Sequence, residues 1–158
     1  MLRAPFYLMV VVCVMLMAAC DSNRLFEDNK EIPDHEWYQD KPVVLNAVIE
    51  DTSIGYNVYI NIRNAGYYRF SNIYLFLNTR MPDGVMQRDT VECTLASPEG
   101  KWLGDGLGDI WDNRILFRKD VFFRQKGEYR FELIQAMRID PLPGIMDAGM
   151  RIEKAGTK

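Results

Sequence analysis

The 158-residue chain carries 19 Lys and Arg against 22 Asp and Glu, a single histidine and 48% hydrophobic residues. Length and composition fit one globular domain, without room for separate catalytic and regulatory units. The formal charge of −3 removes the basic footprint of a nucleic-acid binder, and one histidine with three cysteines is too little for a Cys/His zinc site.

Arg3 precedes a run from Phe6 to Ala19 whose only polar side-chain atoms are the Tyr7 phenol and the Cys13 thiol. A spanning helix needs roughly 17–25 apolar residues, so this shorter run fits the apolar core of an export signal. It ends in Met17-Ala18-Ala19-Cys20, and Asp21-Ser22-Asn23 follow at once. Small residues directly before a cysteine resemble the bacterial lipobox, where the signal is removed ahead of the cysteine and its sulfur receives a diacylglycerol. The expected divisions are a helical lipoprotein signal peptide over 1–19, a tether over 20–41 and a folded domain over 42–158. Fatty acyl chains on Cys20, palmitate among them, would hold the chain on a membrane without crossing it, each buried CH2 adding about 0.8 kcal/mol. This covalent lipid is the one cofactor-like group expected.

With the signal removed and Cys20 acylated, Cys93 is the remaining thiol. No internal disulfide can form, although an exported compartment would permit one. Cys93 lies in an alternating apolar stretch and reads as a small core side chain, not a nucleophile.

Residues 21–41 are polar, with Phe26, Trp37 and Tyr38 available to dock on the domain. From Pro42 onward a period of two dominates, the mark of half-buried strands. Val43, Leu45, Ala47 and Ile49 share one face of the first; Tyr56, Val58, Ile60 and Ile62 share one face of the second, opposed by Asn57, Tyr59, Asn61 and Arg63. Ile73, Leu75 and Leu77 begin a third. Pro82-Asp83-Gly84 is a strong turn, since Pro presets its first corner and Gly accepts a positive φ. Met86–Leu95, Arg114–Phe123 and Glu128–Gln135 continue the series. A last strand fits Ala148–Glu153, with Ile145–Met150 as one short helical turn the competing reading. These elements predict an all-β fold, an antiparallel two-sheet sandwich of about seven or eight strands.

The densest glycine region, Gly100 to Asp109, contains Gly104, Gly106 and Gly108. A phosphate-cradling loop needs a strand before it and a helix N-terminus after it; a further strand follows instead. Asp105, Asp109 and Asp112 could offer oxygen ligands to calcium, but their spacing is not that of a helix-flanked calcium loop, and a solvated acidic loop is the simpler reading. The serines lack a strand-to-helix elbow, and His35 is the sole imidazole. No catalytic constellation emerges. Tyr67, Trp102 and Trp111 fall in turns, where they would cap a sheet end or form an exposed patch for a protein partner. A sugar platform on the same aromatics beside the acidic loop, in a glycan-binding surface lipoprotein, is the rival reading.

Several stretches in order carry a more specific signal: Cys20-Asp21-Ser22-Asn23, Tyr56-Asn57-Val58-Tyr59-Ile60-Asn61-Ile62-Arg63-Asn64, Tyr68-Arg69-Phe70-Ser71-Asn72-Ile73-Tyr74-Leu75-Phe76, Gln87-Arg88-Asp89-Thr90, Gly100-Lys101-Trp102-Leu103-Gly104 with Gly108-Asp109, and Gly144-Ile145-Met146-Asp147 with Arg151-Ile152-Glu153. Together they resemble the gliding-motility lipoprotein GldH family, over nearly the whole mature chain. The resemblance implies a non-enzymatic accessory role in gliding motility and the associated type IX secretion machinery. It also implies attachment to the outer membrane and partners among other motility and secretion lipoproteins and membrane proteins, with no small-molecule substrate or nucleic acid. The one functional residue it carries over is acylated Cys20. Surface-displayed lipoproteins of this group tend to carry an acidic run after the cysteine. Asp21 to Phe26 holds one acid and one base before Glu27, so a periplasm-facing domain is expected.

Overall fold

The computed structural model describes residues 23–156. The signal segment, its expected helix and Cys20 lie outside the described residues. The chain forms β1 (Arg24–Glu31), β2 (Glu36–Trp37), β3 (Val43–Ile49), β4 (Tyr56–Ala65), β5 (Asn72–Arg80), β6 (Met86–Thr94), β7 (Asp105–Leu107), β8 (Ile110–Val121), β9 (Gly127–Gln135), β10 (Leu142–Pro143) and β11 (Ile145–Lys154), with one 3-10 turn at Pro33–His35. The order β1-β11-β4-β8-β7 builds one sheet and β3-β9-β5-β6 the other, while β10 and β2 pair as a small ribbon. Every pairing is antiparallel.

The alternation read from the sequence becomes the inner faces of the two sheets. Leu45, Ala47 and Ile49 of β3, Ile73, Leu75 and Leu77 of β5 and Phe131 and Leu133 of β9 meet Tyr56, Val58, Ile60 and Ile62 of β4 and Ala148, Met150 and Ile152 of β11 in one buried cluster. An extended backbone sends successive side chains to opposite faces, so one apolar face per strand suffices to make this core. Cys93 on β6 is fully buried within it, and burial pushes its thiol up to about 12.

Three boundaries differ from expectation. The segment expected as a tether is part of the fold from Arg24 onward, because β1 pairs with β11 from Arg24↔Glu153 to Glu31↔Asp147. The predicted aromatic docking does occur, with Trp37 buried in the core and Phe26 packed on it. Gly149 is what lets β1 approach: a Cβ there would collide with Asn29 and with the Asp28 carbonyl. The final strand starts at Ile145 rather than Ala148 and leaves no helical turn. The strand β8 starts at Ile110, four residues early, because it also pairs with β7.

The chain reversals fall at the two ends of the sandwich. One end gathers 50–55, 81–85, 122–126 and the junction where Asn23 accepts a hydrogen bond from Lys154 N. The other gathers 66–71, 95–104, the β7–β8 turn and 136–141. Ten residues of β4, at about 3.3 Å each, separate them by about 30 Å.

Candidate functional site

The outer face of the larger sheet carries a ladder of charges. Its polar positions are those left over by the alternation of β4, β8 and β11. Arg63 Nε donates to Asp112 at 2.6 Å and its Nη1 to Asp147 at 2.9 Å. Glu27 accepts from Arg114 at 3.0 Å and from Arg151 at 2.8 Å. Arg151 also reaches Glu153 at 2.9 Å, whose other oxygen accepts from the Tyr59 hydroxyl at 2.8 Å. The hydrogen bond to Asp112, opposed by partial burial and aided by both carboxylates, holds Arg63 more firmly protonated than usual. Glu27, Arg63, Asp112, Arg114 and Asp147 line a depression of about 380 Å³ with Asn29, Asn61 and Asp105. Asn61 Nδ2 donates to Glu27 and to Asn29, while its Oδ1 is buried without a hydrogen-bond partner. Each formal charge in the ladder faces an opposite one, so the arrangement joins strands rather than offering a free acid or base.

The end of the sandwich far from Asn23 is aromatic. Trp111, on the inner side of β8, lies 6.5 Å from Trp102, and Trp102 lies 6.5 Å from Tyr68, whose ring meets Phe70 edge-on at 5.7 Å. Beneath them a buried amide pair closes the core. Asn113 Nδ2 donates to Asn64 Oδ1 at 2.9 Å and to the Ile62 carbonyl at 3.1 Å, satisfying groups that would otherwise be buried unpaired. Gly106 rests directly on the Trp111 ring, where any Cβ would overlap it. Outside this row stand Tyr67 at 59% exposure, Leu103 at 58% and Leu107 at 84%.

The structure distributes the sequence-predicted residues as follows. Trp102 and Trp111 come together, half-buried, with Tyr68 as the third ring; Tyr67 sits on the neighbouring turn against Gly144. Both indoles are half-buried, and Trp102 packs against the core cluster. Asp105 and Asp112 stand opposite one another in the β7–β8 register, but Asp112 is paired with Arg63 and Asp109 lies in the turn beside Gly66. Among the described residues no group of three His, Cys, Asp or Glu is placed to hold a metal ion. Cys20 lies outside the described residues.

Sequence reasoning missed the charge ladder. Its signal was the polar face of β4, visible as Tyr59, Asn61 and Arg63, but their partners on β1, β8 and β11 lie far along the chain.

A second opening, apolar and of about 250 Å³, lies between the sheets near the Asn23 end, with Phe117, Phe123, Tyr129 and Met81 in its wall and Phe122 on it. Arg118 of β8 donates to Asp89 of β6 at 2.9 Å across it, linking the two sheets.

The family model described as GldH lipoprotein matches residues 24–152. A relative from Christiangramia forsetii, named gliding motility lipoprotein GldH homolog, is 34% identical over 98% of this chain and 99% of its own. The gliding motility lipoprotein GldH of Flavobacterium johnsoniae is 31% identical over 92% of this chain and 94% of its own. Among solved structures, the VP2 subviral particle of infectious bursal disease virus matches with a TM-score of 0.33 and 12% identity, over 86% of this chain and 34% of that one; at that score the likeness carries no argument. With the family matched across β1 to β11 and two curated relatives covered almost end to end, the chain belongs to the GldH lipoprotein family, the membrane-anchored lipoproteins of gliding motility.

Proposed function

We propose that the protein is a non-enzymatic interaction module of the gliding apparatus and of the type IX secretion machinery associated with it, held to the outer membrane by lipid on Cys20 and facing the periplasm. The observation that carries this reading is the exposed apolar end formed by Tyr67, Leu103 and Leu107, about 30 Å from the Asn23 end by strand length. An exposed tyrosine among exposed apolar side chains marks a surface for a protein partner. The charge ladder supports it from the other side, since its acids and bases neutralise one another across the strands.

Crosslinking the native lipoprotein in its own membrane tests this. Capture of motility and secretion membrane proteins by the wild type, lost in a Tyr67→Ala, Leu107→Ala double variant, is expected. Equal capture by both would overturn the patch. Cargo secretion restored to a deletion strain by an unanchored Cys20→Ala chain would overturn the tether.

A further inference from the structure

The end of the sandwich that holds Asn23 is not a bare set of turns. Ala155 N donates to the Gly55 carbonyl at 2.9 Å, and Gln125 Nε2 donates to Asp83 at 2.7 Å. A Cβ on Gly127 would touch Pro82 at 3.1 Å. The 50–55 turn is thereby joined to the C-terminal junction, and the 81–85 turn to the 122–126 turn. Phe123 turns inward, with its ring 5.5 Å from Tyr56 and 4.9 Å from Tyr129, both edge-on. Its neighbour Phe122 is left outside at 60% exposure, and Val85 and Met86 are exposed at 53% and 55%. The same segment carries Lys119, Arg124 and Lys126, all exposed, against the single acid Asp120. The basic excess belongs to this segment, since Glu50, Asp51 and Asp83 on the neighbouring turns balance it across the end as a whole. Asp105 and Asp109 lie at the opposite end.

We propose that this end is a second membrane contact, with Phe122, Val85 and Met86 entering the interfacial layer and Lys119, Arg124 and Lys126 meeting anionic headgroups of the bilayer that holds the protein's own anchor. The inference rests on the reading of Cys20 as the lipidated residue. Asn23 is the third residue after Cys20, a distance of no more than about 10 Å along the chain, so an acylated Cys20 brings this end and no other against the lipid. The contact also orients the sandwich, placing Tyr67, Leu103 and Leu107 at the end turned away from the bilayer.

The test uses the full chain purified from its own membrane and returned to phosphatidylethanolamine–phosphatidylglycerol vesicles containing brominated lipid. A bimane probe is placed through Phe122→Cys or, as the far-end control, Tyr67→Cys; Cys93 is buried and does not compete. The expected result is a loss of emission at 122, where an interfacial side chain sits at the acyl boundary, and none at 67. Emission at 122 as unquenched as at 67 would overturn the contact. Quenching at 122 should weaken when phosphatidylcholine replaces phosphatidylglycerol; identical quenching in both would overturn the headgroup recognition. Mass spectrometry of the same preparation separates this from the anchor. A lipidated chain unquenched at 122 defeats the contact alone. An unlipidated chain still quenched, with the bimane mapped to position 122 and not to the freed Cys20, defeats the anchor alone, and an unlipidated chain unquenched at 122 defeats both.

Discussion

Arg151 on β11 donates a 2.8 Å hydrogen bond to Glu27 on β1, across 124 residues of sequence. The arginine side chain is only 6% exposed and the glutamate 18%, so the pair sits under the edge of the sheet and not on open surface. Hydrogen bonds to charged groups contribute about 1.5–3 kcal/mol, which makes this the polar fastening of the first strand to the last.

Glu27→Gln should therefore cost about 1–2 kcal/mol in urea unfolding, and the cost should depend on pH. Burial raises the Glu27 carboxyl, but the Arg151 hydrogen bond and the charges of Arg114 and Arg151 outweigh it and hold the group below its ordinary 4.5. A depressed folded pKa stabilises above the unfolded value and loses that contribution as pH falls through the folded one. The wild type should therefore lose its margin over Glu27→Gln as the pH drops below 4.5. A constant margin between pH 7 and pH 3 would show that the carboxylate charge is not what matters.

The domain boundary can be checked by truncation. A chain beginning at Asn23 should unfold cooperatively, whereas one beginning at Pro42 loses Trp37 and Ile32 from the core and uncovers the β11 edge. Removing one large buried aromatic already costs about 3–5 kcal/mol, and an open edge invites aggregation. Equal melting temperatures for the two chains would restore the tether reading of residues 23–41.

Asn113→Ala should destabilise by about 1–3 kcal/mol, because it strands the fully buried Asn64 Oδ1 and the Ile62 carbonyl. The loss should appear first in the fluorescence of Trp102 and Trp111, which lie over that amide pair. By contrast, Tyr67→Ala, at an exposed turn position, should stay within about 0.5 kcal/mol of wild type.

Cys93 should resist thiol reagents in the native state. It is fully buried, and a thiol pushed up to about 12 supplies almost no thiolate at neutral pH. Labelling should follow the unfolding equilibrium as urea is added; rapid labelling of the folded protein would contradict the burial.

Legibility varied with the range of the interactions. The strands β3, β4, β5 and β9 were readable because each is apolar on one face and polar on the other, and that period of two is a local property of the chain. The strand β1 was not readable: Arg24, Glu27, Asp28, Asn29, Lys30 and Glu31 dominate it, so it resembles a linker. It becomes a strand because β11 offers it a backbone ladder and Arg151 a partner. The aromatic end was half readable. Trp102 and Trp111 were singled out with Tyr67, and the structure sets their rings in a row with Tyr68 instead, one residue along a turn whose twist no local pattern reveals.

The amino-acid sequence by itself settled the all-β class and the likeness to the GldH family, since both are written in neighbouring residues and their order. Only the tertiary structure decided which charges neutralise each other, that the presumed linker is an edge strand, and that the basic aromatic turn and the exposed leucines occupy opposite ends. Those are relations between residues scores of positions apart, brought together by the burial of the two apolar sheet faces, and no local spacing encodes them.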